Sequence, residues 1–228
     1  MSNAGKREGM GRTVIELKDV AIEAGGRRLL EGVRLRVEEG DKRVIRGPSG
    51  CGKSCLLRAL AGLFPPAGGE VWVDGLRLSP ATAPAVRARV AFIGQEPVMG
   101  AETAGEALFL PFRFRAHRSR RPSRKEVERV LADLRLPAEI LERPSARLSG
   151  GEKQRLAVAR ALLLGKRIFL ADEPTSALDP AAREAVMEAL FRPGITLLSV
   201  SHDEEWIRRC DGVLLCEGGR IREEGRER

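Results

Sequence analysis

The sequence predicts an α/β fold interrupted by an inserted helical lobe. Three observations carry that prediction. Short alternating or apolar runs recur up to Ile93, as strands with one or two buried faces require. From Gln95 to Arg147 the text turns helical and basic and contains no strong strand. From Ile168 onward, apolar runs and helical segments alternate again, the pattern of a layered sheet with helices packed on it.

Taken in order, Val14–Val20 and Val33–Val37 alternate like half-buried strands. Glu39-Gly40-Asp41 turns into a buried strand at Arg43–Arg46. A glycine-rich loop follows, then a helix with an apolar face of Leu56, Leu57, Leu60 and Leu63. Glu70–Gly75 reads as a strand ending in a turn, and Val90–Ile93 as a short buried strand. Within the lobe, Val127, Val130, Leu131 and Leu134 give Glu126–Leu136 helical spacing. The closing half is expected to hold a strand at Ile168–Ala171, a helix at Ala181–Phe191 and a strand at Ile195–Val200. A short helix at Asp203–Arg209 and a last core strand at Gly212–Cys216 would follow, with only a short tail after them.

A chain of 228 residues with 43% hydrophobic residues suits one domain with a small lobe. No run approaches the roughly 20 apolar residues of a membrane helix, so any membrane role needs a second, spanning chain. The N-terminus lacks the apolar core of a secretion signal. Met1-Ser-Asn-Ala reads as an expression scar, with Met10 as a natural start. Residues 1–12 are therefore set aside as a tag or disordered segment, leaving 13–228 as one domain. Its core is 13–94 and 156–228, and its helical part about 95–155.

Cys51, Cys55, Cys210 and Cys216 lack zinc-site spacing. Free thiols are expected, with a Cys210–Cys216 disulfide as the alternative. The net charge of +8 fits a nucleic-acid surface, an anionic membrane surface or an arginine-rich codon bias, and charge alone does not choose.

The chemistry is concentrated in a few strings. Gly47-Pro48-Ser49-Gly50-Cys51-Gly52-Lys53-Ser54 matches the G-x-x-x-x-G-K-[ST] phosphate loop, between a strand and a helix as that motif demands. Its glycines let backbone N–H groups close around phosphate oxygens, and the helix start adds partial positive charge. Lys53 is expected on the β- and γ-phosphates and Ser54 on Mg2+. Cys55 stands where such loops commonly place a second hydroxyl, so phosphate binding should be weaker there. Ile168–Ala171 runs into two carboxylates. Asp172 is placed to orient Mg2+, and Glu173 is the candidate general base for an attacking water.

Leu148-Ser149-Gly150-Gly151-Glu152-Lys153-Gln154-Arg155 opens a second helix, with Ser149 as its N-cap and another set of exposed N–H groups for phosphate. This string resembles the signature of ATP-binding cassette (ABC) ATPases. The other motifs agree in order: Gln95 resembles the Q-loop residue, Ser176-Ala-Leu-Asp179 the D-loop, and His202 the switch histidine. The resemblance runs from about Val14 to Glu224. It implies a P-loop NTPase core of the ABC kind, with an antiparallel β subdomain and an inserted α-helical subdomain. It further implies ATP as substrate, Mg2+ as cofactor, and a homodimer sandwiching two ATP. Ser149, Gly150, Gly151 and Gln154 would then act in trans on the partner's nucleotide, with Asp179 at the dimer interface. Glu173, His202 and Gln95 would be catalytic, with Gln95 also reaching Mg2+. The aromatic residue on which the family stacks adenine falls at Ala24, so ATP and GTP are expected to be used at comparable rates.

The resemblance implies a motor subunit on the cytoplasmic face of a bacterial inner membrane, attached through a transmembrane permease. The lobe and the Leu-Pro-Phe-Arg-Phe-Arg stretch (Leu110–Arg115) are similar to bacterial iron-export ABC ATPases. Amino-acid, lipoprotein-release and other small-solute systems are the alternatives. A soluble ABC protein working on nucleic acid or the ribosome is disfavoured, because the second cassette or long insertion of those proteins is missing. A non-hydrolysing module is disfavoured by Glu173 and His202. Two features stay open: Arg113–Lys125 reads as a solvated loop, a membrane-facing surface or a nucleic-acid contact, and Ala107–Phe114 as a partner groove or as lobe core.

Overall fold

The computed structural model describes residues 11–224, so residues 1–10 of the expected 1–12 tag lie outside the described residues, while Arg12 belongs to the fold, its carbonyl accepting from Glu39 N at 2.8 Å. The strands are β1 (Thr13–Ala24), β2 (Arg27–Glu38), β3 (Lys42–Arg46), β4 (Gly68–Val73), β5 (Leu76–Arg77), β6 (Val90–Ile93), β7 (Ile168–Asp172), β8 (Thr196–Val200), β9 (Gly212–Glu217) and β10 (Arg220–Glu223). The helices are α1 (Lys53–Leu60), α2 (Ala83–Arg87), α3 (Ala104–Phe109), α4 (Arg124–Asp133), α5 (Gly150–Leu163), α6 (Pro180–Leu190) and α7 (Glu204–Arg209).

They form two sheets. An antiparallel sheet has the order β2-β1-β4-β5; a six-stranded sheet has the order β10-β9-β3-β8-β7-β6, parallel except for β10. Both faces of the larger sheet are covered, which is why its strands read as short apolar runs. Alternation still assigns each side chain. Val44, Ala91, Ile93, Phe169, Ala171 and Leu197 point into one buried cluster, shared with the lobe helices α3, α4 and α5. Ile45, Val90, Ile168, Leu170, Leu198 and Val200 point the other way, toward α1 and the antiparallel sheet. The lobe thus has no core of its own; its apolar residues continue the core of the sheet.

Each lobe helix starts on a capping box, Thr103 with Glu106, Ser123 with Glu126 and Ser149 with Glu152. Such a box satisfies two N-terminal N–H groups reciprocally, and the N-cap alone is worth about 1 kcal/mol. Helix α6 is capped by Asp179 and α7 by Asp203.

Several expectations need correction. Leu63 lies beyond α1 and is 54% exposed, because the helix ends at Leu60 and the chain turns at Gly62, whose φ is +67°. Gly212–Cys216 is not the last strand: Gly218-Gly219 reverses the chain and β10 pairs antiparallel with β9. Helix α4 stops at Asp133, while Leu134 and Leu136 beyond it are still buried. The Ala107–Phe114 stretch divides: Phe112 is 6% exposed in the shared core, whereas Phe114 is 60% exposed. All four cysteines are free thiols, and Cys216 adjoins Cys51.

Candidate functional site

The site is built on the carboxyl ends of three neighbouring strands. In the β3–β8–β7 register, Ile45 pairs with Val200 and Val200 with Asp172. The loops leaving these strands therefore emerge side by side: Gly47–Ser54 from β3, Ser201–His202 from β8 and Glu173 from β7. Crevices at the carboxyl ends of parallel strands are the usual ligand sites of such sheets.

The phosphate loop depends on two of its glycines. At Gly47, φ is +150°, and a Cβ would sit 2.1 Å from the carbonyl oxygen of Cys216. At Gly52, the left-handed N-cap of α1, a Cβ would press on Leu29 and Leu30 at 3.0 and 3.1 Å. Lys53 is 7% exposed, and its Nζ donates to the carbonyls of Gly47 at 2.7 Å and Pro48 at 2.9 Å. Its ammonium is thus held inside the loop, where phosphate oxygens are expected. Pro48, Ser49 and Gly50 form the exposed outer arc; Cys51 and Cys55 are half-buried against the core of α1.

The Ser54 hydroxyl donates to Asp172 Oδ1 at 3.0 Å. Asp172 is 1% exposed, and its Oδ2 is a buried oxygen without a hydrogen-bond partner. A buried carboxylate oxygen with no partner is costly. Paired with a serine hydroxyl beside a phosphate loop, it fits a hard divalent cation such as Mg2+, which takes oxygen ligands.

Glu173 follows directly, at φ +47°, a left-handed conformation rare for a non-glycine residue. The neighbouring chain enforces it. The Glu173 N–H donates to Val200 O at 2.9 Å, while its carbonyl accepts from Ser176 N at 3.3 Å and Ser176 Oγ at 3.1 Å. Its carboxylate lies 3.6 Å from His202 Nε2. Burial raises the Glu173 pKa above the ordinary carboxylate value, and the adjacent His202 opposes the shift. A raised pKa on a carboxylate at a strand end is what a general base needs.

The structure brings Gly47–Cys55, Asp172, Glu173 and His202 to one place. Gln95 is exposed on the loop following β6. The signature residues stand apart, at the start of α5. Ser149 Oγ accepts from Glu152 N at 3.2 Å, and Glu152 is held in turn by Arg143. Gly150 has open space around it, and Gly151 abuts Ala177 O, where a Cβ would lie at 3.2 Å. Gln154 departs from its expected role in trans. It is 1% exposed and donates to the Gly94 carbonyl of its own chain at 3.4 Å, because it occupies the inward face of α5. Asp179 Oδ1 accepts from Ala182 N at 2.9 Å as the cap of α6. Ala24 is exposed beside the β1–β2 turn, with Arg27 as its strand partner.

Sequence reasoning missed a second set of residues. Asp203 accepts from the N–H groups of Glu205 and Trp206, from Arg183 Nη1 at 3.3 Å and from Thr175 Oγ1 at 3.5 Å. It ties the segment bearing His202 to the turn after Glu173 and to α6. The available signal was Asp203 as an N-cap ahead of Glu204 and Glu205.

Known proteins resemble this chain in sequence and in fold. A family model described as ABC transporter matches residues 30–176. The chain is 33% identical over 205 residues to the Probable iron export ATP-binding protein FetA of Escherichia coli K12, covering 88% of this chain and 90% of that protein. It is 36% identical over 223 residues to the Methionine import ATP-binding protein MetN of Caulobacter vibrioides, covering 93% of this chain and 67% of that one. Among solved structures, a dimeric post-hydrolysis state of the ATP-binding cassette MJ0796 bound to ADP and Pi superposes with a TM-score of 0.81 at 31% identity. That match covers 92% of this chain and 97% of the other.

Proposed function

The chain belongs to the family of ABC transporter ATP-binding subunits, and from that premise we propose how its residues turn ATP hydrolysis into transport. It is an ATPase that works as a dimer of cassettes with a transmembrane partner. Among the described residues no helix is long and apolar enough to cross a membrane, so the spanning part falls to that partner. We place the dimer on the cytoplasmic face of a bacterial inner membrane.

One observation carries the mechanism: the phosphate loop, the unpartnered Asp172 oxygen and the Glu173–His202 pair lie on one ridge of strand ends. In this reading the N–H groups of Gly50–Ser54 and the Lys53 ammonium bind the β- and γ-phosphates of ATP. Mg2+, held by Ser54 and Asp172 with Gln95 reaching in, would neutralise charge on the phosphate oxygens. Glu173 accepts the proton of the attacking water, and His202 orients Glu173 and the γ-phosphate. Ser149, Gly150 and Gly151 of the opposite protomer would complete each site through the exposed start of α5. Gln154 instead acts within its own chain, joining α5 to the loop that carries Gln95. Through that link the lobe would follow the state of the nucleotide.

For the cargo, we propose iron or another metal, exported. The support is the match to FetA, which extends over nearly the whole of both chains. The second reading, amino-acid import, rests on MetN at slightly higher identity. Reconstitution with the partner in vesicles loaded with ferrous iron or with methionine separates them.

The test of the site is phosphate release from ATP by wild type and Lys53→Ala. The variant is expected to lose nucleotide binding and hydrolysis together; retained binding would contradict the assignment of the loop. Stacking on an aromatic ring is worth about 1–3 kcal/mol per base, and Ala24 offers no ring. GTP is therefore expected to be hydrolysed within about tenfold of the ATP rate; a larger preference for ATP would show another contact to the base.

A further inference from the structure

Two cysteines whose thiols the mechanism does not use lie in contact at the phosphate loop. Cys51, the fifth residue of the loop, is half-buried. Cys216 lies in β9 and is 0% exposed. The Cys216 thiol donates to the Cys51 carbonyl at 3.4 Å. The loop is seated directly on this strand, since a Cβ at Gly47 would fall 2.1 Å from the Cys216 carbonyl oxygen and 3.1 Å from its Cβ. On its other side, Cys51 Sγ is 3.8 Å from the Lys53 ammonium. Cys55 is turned toward the same core, and Cys210 belongs to the opposite cluster.

We propose that Cys51 and Cys216 form a reversible disulfide that closes the phosphate loop to nucleotide, with a low-molecular-weight disulfide of the glutathione class as oxidant. The chemistry is two thiol–disulfide exchanges. The Cys51 thiolate attacks the reagent, forming a Cys51–glutathione bond and releasing one glutathione thiolate. The Cys216 sulfur then attacks Cys51 Sγ. The Cys51–glutathione bond breaks, the protein disulfide forms, and the departing thiolate takes up the Cys216 proton. Overall, two protein thiols are oxidised and one glutathione disulfide is reduced to two thiols.

The order follows from access. Of the two, Cys51 is the less buried and so the one open to an external reagent. Cys216 is sealed, and burial together with its hydrogen bond to Cys51 pushes its pKa up to about 12, so it waits protonated as the resolving thiol. Once formed, the bond would pull the Cys51 side chain away from Lys53 and onto β9. The peptides around Cys51 supply N–H groups to the phosphate cradle, so tethering this residue disturbs the cradle at its centre. Formation of the bond is independent of the nucleotide reading; its effect on ATP rests on that reading.

The test incubates the full-length protein with oxidised glutathione, maps the thiols by peptide mass spectrometry, and measures binding of a fluorescent ATP analogue. The expected map has one internal link, Cys51–Cys216, with nucleotide affinity reduced at least about tenfold and restored by dithiothreitol. Cys216→Ser should bind nucleotide as wild type does before oxidation, and should retain glutathione on Cys51 afterwards because nothing resolves it. A Cys51–Cys55 link, a link through Cys210, or a persistent Cys51 adduct in the wild type would overturn the proposal. A Cys51–Cys216 link with unchanged affinity would overturn the regulatory part alone. If the reduced wild type fails to bind the analogue while the link still forms, the nucleotide reading fails and the disulfide stands.

Discussion

Glu173 shows how much local structure one carboxylate requires. A left-handed backbone at a non-glycine residue costs on the order of 1–3 kcal/mol, and here three hydrogen bonds hold it, one donated by Glu173 to the Val200 carbonyl and two accepted from Ser176. The result is a half-buried carboxylate beside His202 with a raised pKa. Only its ionised form accepts a proton, so hydrolysis is lost as pH falls through that raised pKa. The acid limb of the kcat/KM profile for ATP is expected above the ordinary carboxylate range; a limb at or below that range would contradict the general-base assignment. Cys55, in the first turn of α1, permits a second residue-scale prediction. Its thiol is a weak donor, and a net neutral hydrogen bond contributes about 0.5–1.5 kcal/mol. Cys55→Thr should therefore tighten ATP by a few-fold to about tenfold, measured by titration calorimetry; unchanged affinity would mean that the position makes no phosphate contact.

At the scale of elements, the sequence was informative wherever local chemistry decides the outcome. The phosphate loop, the Asp172–Glu173 strand end and the Ser149 cap were legible because each is fixed by residues a few positions apart. What stayed hidden depends on distant partners. The inward turn of Gln154 needs Gly94, the meeting of Cys51 with Cys216 needs the β3–β9 pairing, and the clamp on Asp203 needs Thr175 and Arg183. Strand β10 was missed because Arg220–Glu223 buries only Ile221, which leaves almost no apolar signal. The Ala107–Phe114 stretch was ambiguous for a similar reason, since Phe112 and Phe114 look alike until a helical turn separates them. Phe112→Ser should cost roughly 3–5 kcal/mol, the range for deleting a buried phenyl ring. Phe114→Ser should leave stability unchanged and weaken binding of the transmembrane partner. Denaturant melts and co-purification with that partner read the two effects. Equal destabilisation by both would place Phe114 in the core, and wild-type partner binding by Phe114→Ser would remove it from the interface.

For the whole molecule, the decisive feature is that one chain carries two glycine-rich helix starts with different neighbours. The start of α1 belongs with Asp172, Glu173 and His202, while the start of α5 sits with Arg143, Glu152 and the Ala177 turn. Under the proposed mechanism a complete site needs a second copy, in line with the dimeric cassette structure that this chain resembles. The basic Arg113–Lys125 segment is partly committed within the lobe, with Arg121 over the Phe109 ring at 5.5 Å and Arg124 paired with Glu128. The central claim is the shared site, and light scattering coupled to size exclusion on Glu173→Gln tests it most directly. With Mg-ATP this variant is expected to elute as a dimer, and to return to monomer when Ser149→Arg is added or when ATP is withdrawn. A Glu173→Gln monomer with nucleotide bound, or a dimer indifferent to Ser149→Arg, would contradict the account.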